Sequence, residues 1–308
     1  MSVTTQPRTA PEERPDRDGA VGTGKVNDGA VGKGTSALRK LLVYGLLAVF
    51  SIIYVYPFII QLVTAFKGNT DAVNNPLRLI PNPFDTGAWS RLRETDFPLW
   101  FMNSVLVTLT VTVFRVMFAS MAGYALARLN YRGRDAVFTG LLAVMAVPGI
   151  VLLIPKFLVL NDLNIYDTYL ALILPLVVDA AGVFIMRQFF LQIPISVEEA
   201  ARLDGAGPFR TFWYVVLPMA KPALITVTIL SFQGSWNELG HFIVASQDPK
   251  LYTLTRGVAG LTSGQLGSGS QFPITMAAGL LMTIPTALVF VLFQRYFTQG
   301  ANVGAEKG

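Results

Sequence analysis

Residues 41–66 read LLVYGLLAVFSIIYVYPFIIQLVTAF, a run without a single charged side chain. A bilayer core about 30 Å thick is crossed by about 20 residues of helix, so this stretch is long enough to span a membrane. Five further apolar runs follow, at about 103–127, 136–160, 168–186, 223–246 and 272–294. Six such segments leave too little polar sequence to coat a soluble globule. Over the 308 residues, 52% are hydrophobic and 14% charged, against roughly 25% charged in soluble domains. The expected fold is an all-α transmembrane bundle of six spans.

The same composition excludes several chemistries. Without cysteine there is no disulfide framework, Cys-based zinc site or thiol nucleophile, and a single histidine, His241, removes most His-based metal centres and relays. No metal site and no catalytic constellation is expected. The net charge of +5 would suggest nucleic acid in a soluble protein, but in a membrane protein it orients the chain, and no nucleic-acid partner is expected. Sorting Lys and Arg by segment places sixteen on the side of the amino-terminal tail, the second-to-third loop, the fourth-to-fifth connection and the carboxyl end. Seven fall on the other side, and Arg115 lies inside the second span. The positive-inside rule then puts both termini in the cytoplasm. The largest outer loop, 71–97, is interrupted by Pro76, Pro81 and Pro83, with Pro98 following, which favours turns over a long helix.

Residues 1–36 are rich in Gly, Pro, Thr and charge and carry almost nothing large and apolar. Such a segment cannot offset the entropy of ordering, so a disordered cytoplasmic tail is expected, followed by a transmembrane domain over 37–308. Gly19 to Lys25 fits the first positions of a phosphate-binding loop. However, Val26 stands where the magnesium-binding Ser or Thr is needed and no strand precedes it, so it is read as low-complexity sequence. About 36 polar residues precede an apolar run longer than the usual 7 to 15, which argues against a cleaved signal peptide.

The connection at 194–218 is the most specific part of the chain. Pro194-Ile-Ser-Val-Glu-Glu-Ala-Ala-Arg-Leu-Asp-Gly-Ala-Gly207 reads as a short helix. Ser196 and Glu199 are spaced as a capping box, Glu198 and Arg202 as an i,i+4 pair, and Gly205 or Gly207 as the left-handed stop. A second helix from Pro208 carries an apolar stripe of Phe209, Phe212, Trp213 and Val216. From physics alone this is either an amphipathic interfacial pair or a protein-docking site.

Glu199-Ala-Ala-Arg-Leu-Asp-Gly-Ala206, followed by Leu217-Pro218 and Lys221-Pro222, resembles the EAA loop of permease subunits of binding-protein-dependent ABC importers. Pro148-Gly149, Pro155, Tyr166 to Pro175, Met186-Arg-Gln-Phe-Phe190 and Ser235-Trp-Asn-Glu238 are similar to the carbohydrate branch, the maltose-type second permease. The resemblance covers roughly residues 40–300. It implies a sugar-import permease working with a second permease, two copies of a cytoplasmic ATPase and an extracytoplasmic sugar-binding protein. It further implies that Glu199 contacts the ATPase, that Ala200 and Ala201 form a close-packing face, and that Gly205 makes the bend, with Asp204 and Ala206 completing the coupling set. ATP and magnesium are expected on the ATPase, and this chain is not expected to be an enzyme. Ile195 and Ser196 depart from the family, which usually carries a charged residue soon after the preceding proline.

Ionisable groups at bilayer depth are costly and usually face a cavity or partner. Arg115, Asp179, Glu238 and His241 stand in this position. Gln233, Trp236, Asn237 and Glu238 together offer an aromatic face, amides and a carboxylate, which suits a sugar pathway. The same residues also suit hydrogen bonding between helices. A self-sufficient carrier with Asp179, Glu238 and Arg115 as an ion relay is the alternative class, although no duplication of spans supports it.

Overall fold

In the computed structural model the backbone is described for residues 33–263 and 271–305, and side chains for 39–262 and 271–294. Among these residues the fold is all-helical. Helices α1 (Lys33–Thr64), α2 (Asn69–Asn74), α3 (Gly87–Arg93), α4 (Phe97–Arg128) and α5 (Arg134–Met145) are followed by a 3-10 turn, Gly149–Leu152. Next come α6 (Leu153–Asp162), α7 (Tyr169–Ile173), α8 (Ala180–Gln192) and α9 (Ile195–Leu203). The chain continues with α10 (Pro208–Thr211), α11 (Leu217–Met219), α12 (Lys221–Trp236), α13 (Gly240–Ala245), α14 (Leu254–Ser263) and α15 (Phe272–Ala305).

Four segments are long and apolar enough to cross a bilayer: Arg39–Thr64, Phe97–Arg128, Tyr169–Gln192 and Phe272–Gln294. Two further pairs, Arg134–Met145 with Gly149–Asp162 and Pro208–Met219 with Lys221–Trp236, are bent by 96° and 82°, giving six if each bent pair is one span. The expected third span is therefore not one straight rod. Pro148 takes an extended conformation (φ −60°, ψ 128°) between the two halves, and its ring disfavours the helical region for the residue before it. The expected fifth span, 223–246, breaks after Trp236, and α13 follows as a separate helix. Pro175 falls in a 3-10 turn, Leu174–Leu176, while Pro285 stays inside the continuous α15. Helix α1 begins at Lys33, so the last residues of the expected tail are helical. Residues 1–32, including the glycine-rich 19–25 stretch, lie outside the described residues.

The chain divides into two units between residues 54 and 55, inside α1. The amino-terminal part of α1 exposes its apolar side chains. In the larger unit, α4 is the shared wall of three core clusters. Ala119, Tyr124 and Ala127 pack with Met186, Phe190, Phe212 and Val227. Trp100 packs with Trp236, Leu254 and Ala277. Val107 and Val111 pack with Leu172, Leu176 and Phe242.

Lipid tails are as apolar as leucine, so helices in a bilayer associate by close packing of small residues rather than by the hydrophobic effect. Ala119, Gly123 and Ala127 recur every fourth residue on α4 and lie against α8. A β-carbon built on Gly123 would sit 2.7 Å from Met186 Cβ and 2.9 Å from the Arg187 backbone nitrogen. Gly182 of α8 is nearly as tight, with Ala119 Cβ at 3.2 Å. Because backbone cannot rotate away, Gly123→Ala is expected to cost about 1–3 kcal/mol through overpacking. Gly140→Ala on α5, where nothing lies within 4 Å, should be neutral or slightly stabilising. Thermal unfolding of the detergent-solubilised chain checks the contrast; equal midpoints for the two variants would refute the close-packing account.

Candidate functional site

The connection between the fourth and fifth apolar segments folds as a hairpin. Helix α9 ends at Leu203, and Gly205 adopts φ +81°. Its N–H donates to the Arg202 carbonyl at 3.0 Å and that of Ala206 to the Ala201 carbonyl at 2.9 Å, the two bonds of a Schellman closure. Of the two glycines considered, Gly205 supplies the left-handed residue, a conformation that costs little only without a β-carbon. The chain then runs through α10, a π-helical turn Phe212–Val216 and α11. At Ala220, which is fully buried, it bends by 82° into α12.

One charged side chain fastens this hairpin to the bundle. Arg128, in the last turn of α4, donates through Nη2 to the Phe190 carbonyl at 2.7 Å and to the Ile193 carbonyl. Its Nε lies 2.8 Å from Glu198 Oε1. The N–H is off the line to that oxygen, so the contact is an ion pair rather than an aligned hydrogen bond. Tyr124, one turn earlier, donates its hydroxyl to Glu198 Oε2 at 3.2 Å. The Tyr124 ring also packs against Phe190 and Phe212, with centroids at 5.8 and 5.0 Å. Glu198 is only 3% exposed. A carboxylate this deep is stable only because it is paired on both oxygens.

This overturns two local expectations. Glu198 does not pair with Arg202 on the surface; it turns inward to Arg128, and Arg202 remains exposed. Nor does the Ser196–Glu199 capping box form. The helix starts at Ile195 with Pro194 before it and no side-chain cap, which places Ser196 inside the first turn. Glu199 is therefore free of a capping role and exposed, as are Ala200, Asp204 and Gly205; Ala206 is half-buried. Ala201 faces the bundle and is buried, so only Ala200 of the expected alanine face points outward. Of the expected apolar stripe, Phe212 and Val216 are buried, whereas Phe209 and Trp213 are exposed. Leu203, at 89% exposure, is the most exposed large apolar side chain of α9. Arg128 was legible in the sequence only as a loop charge; its spacing of four from Tyr124 was the available signal.

The second group of expected residues lies where α12 ends. Trp236 is not available to a sugar. It is 2% exposed, donates Nε1–H to the Met282 carbonyl at 3.1 Å, and stacks on Phe232 with centroids 5.7 Å apart. Its amphipathic ring serves the core. Asn237 is exposed and its Nδ2 donates to the Gln233 carbonyl at 2.9 Å. Gln233 and Glu238 are half-buried. Glu238 Oε1 accepts the His241 backbone N–H at 2.9 Å, and its carbonyl accepts the Thr255 hydroxyl at 2.6 Å. His241 is buried, with Nε2 at 3.0 Å from the Ala171 carbonyl, a structural histidine rather than an acid or base. Asp179 caps α8 by accepting the Gly182 N–H at 2.8 Å. Arg115 donates Nε–H to the Leu176 carbonyl at 2.7 Å. The three members of the proposed ion relay make no ion pair with one another among the described residues.

The described residues thus make an apolar helical bundle of four to six candidate spans with a tightly closed, partly apolar hairpin between the fourth and the fifth. Residues 115–303 match the family described as the inner membrane component of binding-protein-dependent transport systems, and the chain belongs to that family. It is 31% identical over 280 residues to the arabinooligosaccharides transport system permease protein AraQ of Halalkalibacterium halodurans, covering 90% of this chain and 99% of that one. It is 33% identical over 284 residues to the polygalacturonan/rhamnogalacturonan permease protein YtcP of Bacillus subtilis, covering 88% and 99%. It is 30% identical over 277 residues to the sn-glycerol-3-phosphate permease protein UgpE of Yersinia pestis, covering 87% and 95%. A solved bacterial ABC transporter that imports the acidic polysaccharide alginate contains a chain superposing with a TM-score of 0.74 at 25% identity, over 86% of this chain and 98% of that one.

Removing one partner of a buried ion pair leaves an uncompensated charge. Glu198→Ala is accordingly expected to cost about 3–5 kcal/mol. Arg128→Ala should cost at least as much, since it also strands two carbonyls. The double variant should fall well short of the sum of the singles. Unfolding midpoints in detergent for the three variants measure this; strict additivity would show that the two residues do not act together.

Proposed function

We propose that this chain is the permease subunit of an ATP-driven carbohydrate importer, coupled to a separate ATPase through the 194–218 hairpin. The observation that carries the reading is the exposed ridge of α9. Glu199, Ala200, Leu203, Asp204 and Gly205 face outward from a helix whose opposite side is bolted to the bundle by Glu198 and Arg128. A bare leucine beside a carboxylate on a rigid, tightly closed helix is a poor membrane-surface helix, which would instead be rich in Lys and Arg. It is a good plug for a groove. The earlier coupling set of Glu199, Ala200, Ala201, Asp204, Gly205 and Ala206 is refined by moving Ala201 to the inner face and adding Leu203.

Energy for uptake comes from outside the chain. ATP and magnesium belong to two copies of a cytoplasmic ATPase, and a second permease completes the pathway. An extracytoplasmic binding protein delivers the sugar, in keeping with the family and with the carbohydrate permeases it resembles. The distribution of sixteen against seven cationic residues supports a bacterial cell-membrane protein with the hairpin and both termini in the cytoplasm. The relay carrier is less well supported, because Asp179 and Glu238 each accept a local backbone N–H and Arg115 donates across the bundle to the Leu176 carbonyl.

Glu199→Lys is expected to abolish ATPase-coupled sugar uptake while the chain still inserts. Leu203→Ala should weaken association with the ATPase by about tenfold to a hundredfold, the worth of burying one leucine. Gly205→Pro should abolish coupling, since proline cannot adopt φ +81°. Co-purification with the ATPase and uptake in proteoliposomes read all three. Full sugar uptake by the chain alone would overturn the importer reading.

A further inference from the structure

The last turns of α4 and the second arm of the hairpin do not close fully on each other. Between them runs a groove of about 190 Å³, walled by Met121, Tyr124, Ala125 and Leu129 on one side and by Phe209 and Phe212 on the other. Met121, Leu129 and Phe209 are exposed, whereas Tyr124 and Phe212 are buried, so the groove has an open rim and a closed floor. No charged side chain lines it. Apolar cavities of about 150 Å³ stay dry and take hydrocarbon guests, and at the end of a membrane span the hydrocarbon at hand is an acyl chain. Each wall is followed in the chain by an arginine: Arg132 comes three residues after Leu129, and Arg210 directly after Phe209. Both are exposed, and among the described residues neither is in an ion pair. Nearby Arg128 is already committed to Glu198 and two carbonyls, and Arg134 pairs with Asp135 at 3.4 Å.

We infer that this groove holds one acyl chain of an anionic phospholipid of the cytoplasmic leaflet, with Arg132 and Arg210 attracting its headgroup, a proposal that rests on the cytoplasmic placement of the hairpin and not on the cargo. Two features separate such a site from ordinary contact with the bilayer. The walls belong to different elements, α4 and the hairpin, so a guest is flanked on both sides rather than laid on one helix face. The two arginines beside the walls are without a carboxylate partner, so a headgroup with net negative charge gains from each, about fivefold per arginine, and a zwitterionic one does not. The floor of the groove is also part of the fastening of the hairpin. Tyr124, whose ring lies 5.0 Å from that of Phe212, donates its hydroxyl to Glu198 at 3.2 Å. An acyl chain seated against that ring braces the contact that holds α9 on α4, and the lipid becomes a structural part of the hairpin.

The test uses the chain purified in detergent with its second permease and ATPase and washed free of lipid. A phosphatidylglycerol and a phosphatidylcholine, each with a photoreactive diazirine on one acyl chain, are added in turn, and labelled peptides are identified by mass spectrometry. Phosphatidylglycerol is expected to label 121–129 and 208–212 at least about tenfold more than phosphatidylcholine does. Ala125→Trp, which fills the groove, should remove that labelling while gel filtration shows an intact assembly. The double variant Arg132→Gln, Arg210→Gln alters only exposed side chains, so it keeps the fold and decides the matter even where the tryptophan variant does not assemble. It should bring phosphatidylglycerol down to the phosphatidylcholine level. Equal labelling by the two lipids in the unaltered assembly would mean ordinary bilayer contact and would overturn the inference. So would absence of label from both segments, the result expected if the second permease covers the groove. Labelling that persists in an intact Ala125→Trp assembly, or a preference untouched by the arginine pair, would overturn it as well. None of these outcomes reads sugar uptake, so their failure leaves the importer reading standing, and that reading falls only to full uptake by the chain alone.

Discussion

Hydrocarbon offers no hydrogen bonds, so every polar group carried into the bilayer must find its partner inside the protein. Most of this fold follows from that constraint. Where the fourth and fifth apolar segments break, the freed backbone N–H groups turn to side chains, as that of Gly182 does to Asp179 and that of His241 to Glu238. The two arginines of α4 obey the same rule in different ways. Arg128 is saturated by two carbonyls and a carboxylate, and it becomes a fastening. Arg115 is satisfied on one nitrogen only, and it becomes a group with capacity to spare.

The spans were legible because length and lack of charge are read directly from residues, and the hairpin because Gly205 sits where only glycine is comfortable. Their bends were not. Mean hydropathy is blind to direction, so 136–160 read as one rod although Pro148 divides it. The run 223–246 read as another although Asn237 and Glu238 interrupt it. Glu198 was misread for a related reason. Helical spacing pairs it with Arg202, but the partner that wins lies 70 positions earlier in the chain, and no local pattern reports such a distance. Trp236 was ambiguous in principle, since an indole that can stack on a sugar ring can equally fill a core and donate to a carbonyl.

Both groups of residues hang on the same two helices. Arg115 and Arg128 are separated by about 20 Å along α4, one beside Gly234 of α12 and the other at the root of the hairpin. Helix α12 carries Gln233 and Gly234 at one end and joins the hairpin at the other. Helix α9 is thus tied to both helices, to α4 through the Glu198–Arg128 pair and to α12 through covalent backbone.

The bend at Ala220 gives the second connection a mechanical character. Ala220 is fully buried and its N–H is shared by the carbonyls of Val216 and Leu217, so straightening the corner would break both bonds. Two arms set at 82° make a bell crank: a push along one arm emerges as a sideways swing of the other. Helix α12 is about 24 Å long, so a tilt of about 5° at the elbow would carry its far end through about 2 Å, comparable to the width of a hydroxyl group.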